Sequence, residues 1–283
     1  MSVIVPLTLH DALQALAEAP DATLLAGGTD LMVELNAGHR QVTDVVSLSR
    51  VADLCTWQHD PVRQVLTLGA GITYAEIATE PIAQWVPALA QAARTVGSPQ
   101  IRNAATIGGN LGTCSPAGDG LPVLSALEAV VHLRSATGSR DLPFDEFMVG
   151  PKRTARLPGE LITGVSVPVL DGWQGYSKVG VRNAMVIATA SVALVTDPAA
   201  RRVRLALGSV GPVILRCPEA EAAAATAVDF HAASVSDSAV EHFAELARAA
   251  ARPIDDHRST AAYRRHAVGV LAGRLLRKAF PNG

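Results

Sequence analysis

Residues 101–119, IRNAATIGGNLGTCSPAGD, carry the pattern from which we infer the fold and the ligand of this chain. Thr106 stands just before Ile107 and a glycine pair. Glycines allow positive φ angles and leave space beside the backbone, so the N–H groups of such a loop can converge on an anion. Asn110, Thr113 and Ser115 follow with further hydrogen-bonding groups. The stretch therefore predicts a loop that binds a polar, anionic ligand.

Asp119 ends this stretch, and two roles stay open for it. Its carboxylate suits hydrogen bonds from ribose or ribityl hydroxyls, as acidic residues provide in other dinucleotide sites. It suits equally well the N-cap of a helix expected at residues 121–127. One residue can fill both roles.

Another glycine loop lies about 80 residues earlier, at residues 24–31, LLAGGTDL. In chain order, residues 24–31 are the first loop and residues 101–119 are the second loop. A short apolar strand leads into Gly27 and Gly28, and Thr29 adds a hydroxyl donor. The alternative is an ordinary glycine turn in which Thr29 or Asp30 caps the next helix. Two loops of this kind suit a ligand that has two phosphates and polyol groups.

Hydrophobic periodicity predicts short strands that alternate with helices, which is typical of α/β or α+β layers. A boundary between two domains is expected near residues 168–172, within the stretch VPVLDGWQG (residues 167–175), where a proline and two glycines separate apolar segments. Strands are predicted at residues 2–6, 23–26, 44–48, 65–69, 130–134, 161–167, 185–196 and 202–210. Helices are predicted at residues 9–16, 74–79, 87–96, 122–127, 236–252 and 259–280, the last two capped by Ser236 and Ser259.

Composition excludes several classes of protein. The chain has 283 residues and a net charge of −2, which argues against a broad nucleic-acid or anionic-membrane surface. No apolar run reaches the roughly 18 residues of a membrane span. Three scattered cysteines, and histidines without metal-ligand spacing, predict no metal site, so we expect a soluble, cytoplasmic protein. The basic residues of the last helix are interpreted as a solvated face, with a partner-binding site as the alternative: Arg264, Arg265, Arg274, Arg277 and Lys278.

Two common nucleotide-binding patterns are missing from the sequence. There is no GxxxxGK[ST] phosphate loop. At residues 69–74, Tyr74 occupies a position where a Rossmann fingerprint needs Gly or Ala, and its side chain would hold the helix away from the sheet. Neither pattern therefore accounts for the two glycine loops.

Both loops resemble the paired FAD-binding loops of the medium subunit of molybdenum hydroxylases, the xanthine dehydrogenase and carbon monoxide dehydrogenase family. The resemblance continues in order through residues 151–168 (PKRTARLPGELITGVSVP), 176–188 (YSKVGVRNAMVIA) and 259–276 (STAAYRRHAVGVLAGRLL). It implies an α+β fold with a FAD-binding domain of the PCMH or vanillyl-alcohol-oxidase type, built from two α/β subdomains, over residues 1–170. A small C-terminal domain like that of the CO dehydrogenase flavoprotein, a three-stranded sheet with helices, is implied at residues 173–283.

The resemblance also assigns roles to residues. Backbone amides of residues 26–31 and 106–110 are expected to cradle the FAD pyrophosphate, and Asp119 is expected to bind FAD hydroxyls. Lys178 is expected at the polar edge of the flavin, where a cation stabilises charge on the reduced ring; the alternative is a solvated lysine on a strand. Leu161 or Ile162 is expected to pack near the flavin or adenine rings. The full set of expected FAD-binding residues is Leu25, Ala26, Gly27, Gly28, Thr29, Asp30, Leu31, Thr106, Ile107, Gly109, Asn110, Thr113, Ser115, Asp119, Leu161, Ile162 and Lys178.

Two departures from the family pattern refine these expectations. Thr29 stands where some FAD proteins of this fold carry a histidine that binds the flavin covalently. The first loop also lacks a cysteine, so we expect non-covalent FAD. Cys114 replaces the small residue more usual in the second loop, and we interpret it as a buried apolar residue without a redox role.

The function implied by the resemblance is that of the FAD-carrying electron-transfer subunit of a molybdenum hydroxylase. A large partner subunit would hold the molybdenum–pterin centre, and a small one would hold [2Fe–2S] clusters, in a dimer of heterotrimers. The flavin would deliver electrons to NAD⁺, O₂ or another acceptor. Two other functions stay open: a stand-alone flavin-dependent oxidoreductase of the same fold, and a non-catalytic nucleotide-binding module.

Overall fold

Short strands and helices alternate along the chain, and the computed structural model describes them for residues 2–282. The strands are β1 (Ser2–Ile4), β2 (Thr23–Leu25), β3 (Asp44–Ser47), β4 (Trp57–Asp60), β5 (Val65–Gly69), β6 (Val130–Ser135), β7 (Gly138–Pro143), β8 (Met148–Gly150), β9 (Arg153–Thr154), β10 (Leu161–Pro168), β11 (Gln174–Val179), β12 (Ala190–Asp197), β13 (Arg202–Gly208) and β14 (Leu215–Arg216). The helices are α1 (Leu9–Glu18), α2 (Leu31–Asn36), α3 (Tyr74–Ile77), α4 (Ile82–Trp85), α5 (Pro87–Thr95), α6 (Pro99–Ala104), α7 (Ile107–Thr113), α8 (Gly120–Ala126), α9 (Phe144–Phe147), α10 (Pro218–Ala227), α11 (Asp237–Ala250) and α12 (Ala261–Ala279), and a 3₁₀ turn spans Ala52–Cys55.

The chain forms two compact units that are interleaved along the sequence. The first consists of residues 2–77, 98–114 and 128–168, and the second of residues 78–97, 115–127 and 169–282. The domain limits expected from the sequence, 1–170 and 173–283, stay a prediction. Within residues 2–282, no helix combines the length and the apolar character that a membrane crossing requires.

The first unit contains the two α/β subdomains expected from the sequence. One is a parallel sheet in the order β1-β3-β2 with α1 beside it. The other is an antiparallel sheet in the order β4-β5-β10-β6-β7. Its strands alternate: Val165 and Val167 of β10 are buried, whereas Ser166 between them faces the opposite, more polar side. This period of two is what a sheet with one covered face requires.

The second unit is built around the sheet β11-β12-β13-β14. The first three strands are the predicted three-stranded sheet, and β14 adds only two residues to it. Helices α10, α11 and α12 cover one face with a core that includes Val192, Leu194, Phe243 and Leu276. The α+β architecture is therefore confirmed in both units.

The strand predicted at residues 185–196 is wrong in its first part, because β12 begins only at Ala190. The backbone carbonyls before Ala190 accept hydrogen bonds from side chains. Arg182 donates to the carbonyls of Ala184 and Met185, and Lys178 donates to the carbonyl of Val186. Met185 also has a positive φ of 50°, which a strand does not tolerate. These carbonyls therefore do not enter the sheet ladder.

The caps of the last two helices differ in their agreement with the prediction. The Ser236 side chain caps α11 by accepting from the Ala239 amide, as expected. Helix α12 is capped by Thr260 and not by Ser259. The Ser259 amide donates to the carboxylate of Asp256, which places Ser259 in the preceding turn.

The expectation that all five basic residues of α12 are solvated is wrong for Arg264, which is 3% exposed. Its guanidinium donates to the carbonyls of Thr189 (3.0 Å) and Ser209 (2.8 Å) and to the Asp256 carboxylate (2.6 Å). Arg264 lies on the buried stripe that continues at Ala267 and Val268, and this helical spacing is the signal that identifies it. Arg265, Arg274, Arg277 and Lys278 are exposed, as expected.

We expect ionised Asp256 to stabilise the fold at neutral pH and to lose this effect in acid. Burial raises the pKa of this carboxyl, but hydrogen bonds from the Arg258 amide and the Arg264 guanidinium outweigh it and lower the pKa to about 2. A carboxyl whose pKa is lower in the folded than in the unfolded state stabilises the fold above the unfolded pKa of about 4. The effect disappears as the pH falls through the folded pKa. Thermal unfolding of the parent and Asp256→Asn checks this: the parent's advantage in Tm should shrink from neutral pH to about pH 2, and a constant difference would contradict it.

Candidate functional site

The two glycine loops predicted from the sequence lie against each other in the first unit. Gly27 follows β2 and is packed so closely on the second loop that a Cβ there would stand 1.7 Å from the Ala104 carbonyl oxygen. A Cβ at Gly109 would lie 3.9 Å from that of Ala26. Gly28 has a φ of +70°, which favours glycine. Close approach at Gly27 and backbone conformation at Gly28 therefore require glycine at these two positions of the first loop.

Backbone amides of the first loop are available to a ligand. The N–H groups of residues 27–30 donate to no other group within residues 2–282, and these residues are partly or fully exposed. The side chain of Asp30 does not cap α2, so the alternative of an Asp30-capped turn is wrong. Four consecutive N–H groups without a protein partner are an arrangement suited to an anion.

Backbone amides of the second loop were expected to bind the FAD pyrophosphate, but several of them donate to acceptors within the protein. The N–H groups of Ile107 and Gly108 donate to the carbonyls of Ile72 and Ala70, both at 2.9 Å. The Gly109 amide donates to the Thr106 hydroxyl, which caps α7. These three amides are occupied within the protein, so the expected cradle of second-loop amides is wrong for them in this structure. The second loop packs against the first at Gly27 and so supports its position.

Two side chains of α7 are held in place next to the first loop. The Asn110 carbonyl oxygen Oδ1 accepts from the hydroxyl of Tyr74 at 2.6 Å, and Tyr74 is itself buried. The Thr113 hydroxyl donates to Asp30 at 3.5 Å and so links the two loops. Sequence reasoning used Tyr74 only to exclude a Rossmann site and missed that it orients Asn110.

Leu161 and Ile162, at the start of β10, are both buried. The side chain of Ile162 lies 3.8 Å from the position of a Cβ on Gly112, so it packs under α7. Leu25 ends β2 directly before the first loop, and Leu31 begins α2 directly after it. Their expected places beside a bound ring or phosphate stay predictions.

Lys152 is a charged neighbour of the first loop that sequence reasoning missed. Its ammonium group is hydrogen-bonded to Glu34 and lies 3.8 Å from Asp30. Its backbone amide donates to the carbonyl of Cys114. The 118 residues between Lys152 and Glu34 leave no local signal for this pair.

A buried polar cluster in the second unit contains Asp119, Tyr176 and Lys178. The Asp119 carboxylate accepts from the Lys178 ammonium and from the Tyr176 hydroxyl, both at 2.7 Å. Lys178 also donates to the carbonyls of Thr95 (2.9 Å) and Val186 (3.1 Å). Its side chain is 10% exposed, so the alternative of a solvated strand lysine is wrong.

The hydrogen bonds of Asp119 exclude its predicted role as the side-chain cap of α8. Its side chain makes no capping bond to α8, although it occupies the N-cap position.

Burial raises the pKa of the Asp119 carboxyl, while Lys178 and Tyr176 act in the opposite direction. Burial, with the nearby Asp119, raises the pKa of the Tyr176 hydroxyl well above its usual value. The ion pair is therefore costly to bury and depends on both partners.

Ser115 and Cys114 have structural places. The Ser115 hydroxyl accepts from the Ala117 amide and its carbonyl accepts from the Gly118 amide, so it holds the turn before Asp119. Cys114 is fully buried, with a φ of 50° at the end of α7. Burial raises the pKa of its thiol to about 12, which agrees with the interpretation as an apolar residue.

Comparisons with known proteins agree with these features. A model of the FAD binding domain in molybdopterin dehydrogenase matches residues 1–170, and a model of the CO dehydrogenase flavoprotein C-terminal domain matches residues 176–279. The chain is 32% identical to the glyceraldehyde dehydrogenase medium chain of Sulfolobus acidocaldarius over 96% of this chain and 95% of that protein. It is 29% identical to the carbon monoxide dehydrogenase medium chain of Hydrogenophaga pseudoflava over 97% and 95% of the two chains.

Among solved structures, the chain is similar to one from carbon monoxide dehydrogenase of Hydrogenophaga pseudoflava that lacks the Mo-pyranopterin moiety of the molybdenum cofactor. The TM-score is 0.88 at 27% identity, and the match covers 100% of this chain and 98% of that chain. A chain of reconstituted CO dehydrogenase from Oligotropha carboxidovorans gives a TM-score of 0.89 at 26% identity, with the same coverage.

Proposed function

Because this chain belongs to the family of FAD-binding medium subunits of molybdenum hydroxylases, which includes xanthine and CO dehydrogenases, we propose that it binds FAD non-covalently and transfers electrons within an oxidoreductase complex. Its relatives are medium chains and subunits of such dehydrogenases.

A row of unpartnered backbone amides carries this proposal. The N–H groups of residues 27–30 have no acceptor among the described residues and lie beside the second glycine loop. The pyrophosphate of FAD supplies anionic oxygen acceptors of the kind such a row binds. Thr29 adds a hydroxyl, and Asn110 is held by Tyr74 for a further polar contact. No His or Cys stands in the first loop to bind a flavin covalently.

Asp119 and Lys178 are the residues of the second unit that we assign to the cofactor. The Asp119 carboxylate accepts from Tyr176 and Lys178 and also interacts with Thr95, and a carboxylate has about four acceptor sites, so capacity remains for an FAD hydroxyl. The three N–H donors of Lys178 are all in use, so Lys178 reaches the flavin by exchanging one partner. The Val186 carbonyl, at 3.1 Å, is the most distant of the three.

Bound FAD supplies the ability to take up electrons one at a time and to release them as a pair. In our proposal, a small partner subunit with [2Fe–2S] clusters delivers the electrons, and a large subunit holds the molybdenum–pterin centre at which they originate. The complex is a dimer of heterotrimers in the cytoplasm, and NAD⁺, O₂ or another acceptor receives the electrons. This chain binds and orients the cofactor, and its Lys178 provides positive charge close to Asp119.

Purification of the complex from its native source tests the proposal. We expect a yellow protein in which this chain co-purifies with iron, molybdenum and two partner chains, and from which acid or heat releases the flavin. A colourless chain that also fails to bind added FAD would contradict the cofactor assignment. Flavin that stays on the chain after acid precipitation would contradict non-covalent binding.

A stand-alone flavin-dependent oxidoreductase would give a different result in the same preparation. The chain would then be isolated with FAD but without metals or partner chains, and it would oxidise a substrate by itself. The medium-chain relatives favour the complex.

A further inference from the structure

A groove of about 600 Å³ lies on the polar face of the five-stranded sheet in the first unit. Its lining includes Thr67, His132, Arg134, Gly164 and Ser166. None of its lining residues belongs to the expected FAD-binding set, so the groove requires its own explanation.

A chain of hydrogen bonds crosses four neighbouring strands at the floor of this groove. The hydroxyl oxygens of Thr67 on β5 and Ser166 on β10 are 2.8 Å apart. Ser166 Oγ is 2.6 Å from Nε2 of His132 on β6, and His132 Nδ1 is 2.8 Å from a carboxylate oxygen of Asp141 on β7. The order of groups is therefore hydroxyl, hydroxyl, imidazole, carboxylate.

The Asp141 carboxylate, at the end of this network, sets the direction of every hydrogen bond in it. Ionised Asp141 only accepts, so Nδ1 of His132 carries the proton and donates to it. In the neutral imidazole, Nε2 then accepts from Ser166, and Ser166 in turn accepts from Thr67. A serine whose proton points at an imidazole held by a carboxylate is the arrangement that activates a hydroxyl as a nucleophile.

Placement on the sheet leaves Ser166 open to the groove. Its neighbours Val165 and Val167 point into the core, while Ser166 is only partly buried and faces the groove. The hydroxyl lies next to the open volume of the groove, which Gly69 and Gly164 also line. An acyl group therefore has space next to the hydroxyl.

Arg134 indicates the charge of the substrate. It is exposed and follows His132 by two residues on β6, so both side chains lie on the same face of the sheet, about 7 Å apart along the strand. A guanidinium at this place suits a carboxylate. The acidic side chain of Asp53, also in the lining, is engaged by the amide of Leu9.

We propose that this groove is a second site, at which Ser166 takes the acyl group of a small ester that carries a carboxylate. The bond from Ser166 Oγ to the acyl carbon forms and the ester C–O bond breaks. The serine proton passes through Nε2 of His132 to the departing alcohol. Water then attacks the acyl-serine by the same route and releases the acid, so the sum is ester and water to acid and alcohol. Asp141 is a positioning residue that holds the imidazole.

Hydrolysis of two matched esters by the full chain in its complex tests the substrate class. We expect p-nitrophenyl hemisuccinate to be hydrolysed faster than the uncharged p-nitrophenyl butyrate, and Arg134→Gln to remove this difference. Ser166→Ala and His132→Gln should each lower the rate by about 100-fold or more, as loss of nucleophile or base does. Ser135→Ala, on the same strand as His132, should keep the parent rate.

Covalent labelling gives a second readout that does not depend on a variant folding. A fluorophosphonate probe should label the parent protein on Ser166, identified by peptide mass spectrometry, and His132→Gln should lose the label. Asp141→Glu should restore labelling relative to Asp141→Asn, which a purely structural role would not require. FAD content should be unchanged in Ser166→Ala. A parent protein that carries no label on Ser166, or a Ser166→Ala variant with the parent rate on both esters, overturns the proposal and leaves the network as a cross-strand contact.

Discussion

Gly27→Ala yields a protein that has lost at least about 100-fold in affinity for FAD, a difference of about 3 kcal/mol in binding free energy. The added methyl group would stand 1.7 Å from the Ala104 carbonyl oxygen and 2.5 Å from its carbon. Both atoms are backbone, so no side chain can turn away, and either the first loop or α6 has to move. Movement of the first loop disperses the amides of residues 27–30.

Fluorescence titration of the apo-protein with FAD measures this loss, and chemical unfolding reports the accompanying loss of stability. Gly138→Ala is the matched control, because a Cβ at Gly138 has no atom within 4 Å. It should bind FAD like the parent. A Gly27→Ala variant with parental affinity would show that the first loop does not hold the cofactor.

Lys178→Met has the second large effect, because it leaves Asp119 buried without its cation. Removal of one partner from a buried ion pair destabilises a protein by about 3–5 kcal/mol. Asp119 is 9% exposed, and burial already raises the pKa of its carboxyl, so loss of the lysine that lowers this pKa raises it further. We expect a lower free energy of unfolding and weaker FAD binding.

A double variant separates these two effects. Lys178→Met with Asp119→Asn removes the unpaired charge, so a substantial part of the lost stability should return, whereas FAD affinity should stay low. Lys278→Met, at an exposed position on α12, is the control and should change stability by less than about 0.5 kcal/mol. A double variant that regains parental FAD affinity would exclude both side chains from the cofactor site.

Local patterns in the sequence predict strands β1, β2, β3, β5, β6 and β10 and helices α1, α3, α5 and α8 of the first 170 residues, but they miss the shorter elements between them, among them β4, β7 and α7. The two glycine loops are expected to cover different parts of one ligand, and their direct contact is not predicted. The hydrogen bonds inside these loops could not be predicted, because their partners are distant in sequence. The amides of Ile107 and Gly108 donate to carbonyls about 35 residues earlier, and Tyr74 reaches Asn110 across 36 residues. Sequence patterns describe which residues are polar, but the partner depends on tertiary packing.

The second unit demonstrates the same limit for charges. Lys178 and Asp119 are 59 residues apart, and only the fold brings them within 2.7 Å. Arg264 was misjudged for a different reason. The charge of Arg264 predicts a solvated side chain, whereas its helical spacing places it on the apolar stripe of α12. In that case the periodicity was the better guide than the residue type.

The strand order of the first unit has a consequence for how the chain matures on the ribosome. β10 is the last strand of the five-stranded sheet to be synthesised, yet it lies between β5 and β6. Until residue 168 has left the exit tunnel, no strand lies between β5 and β6. The edges of these two strands that later pair with β10 stay unpaired until then. Pairing β5 with β10 closes a loop of about 95 residues, which is a slow kind of contact to form. The five-stranded sheet can therefore be completed only after its last central strand has been synthesised.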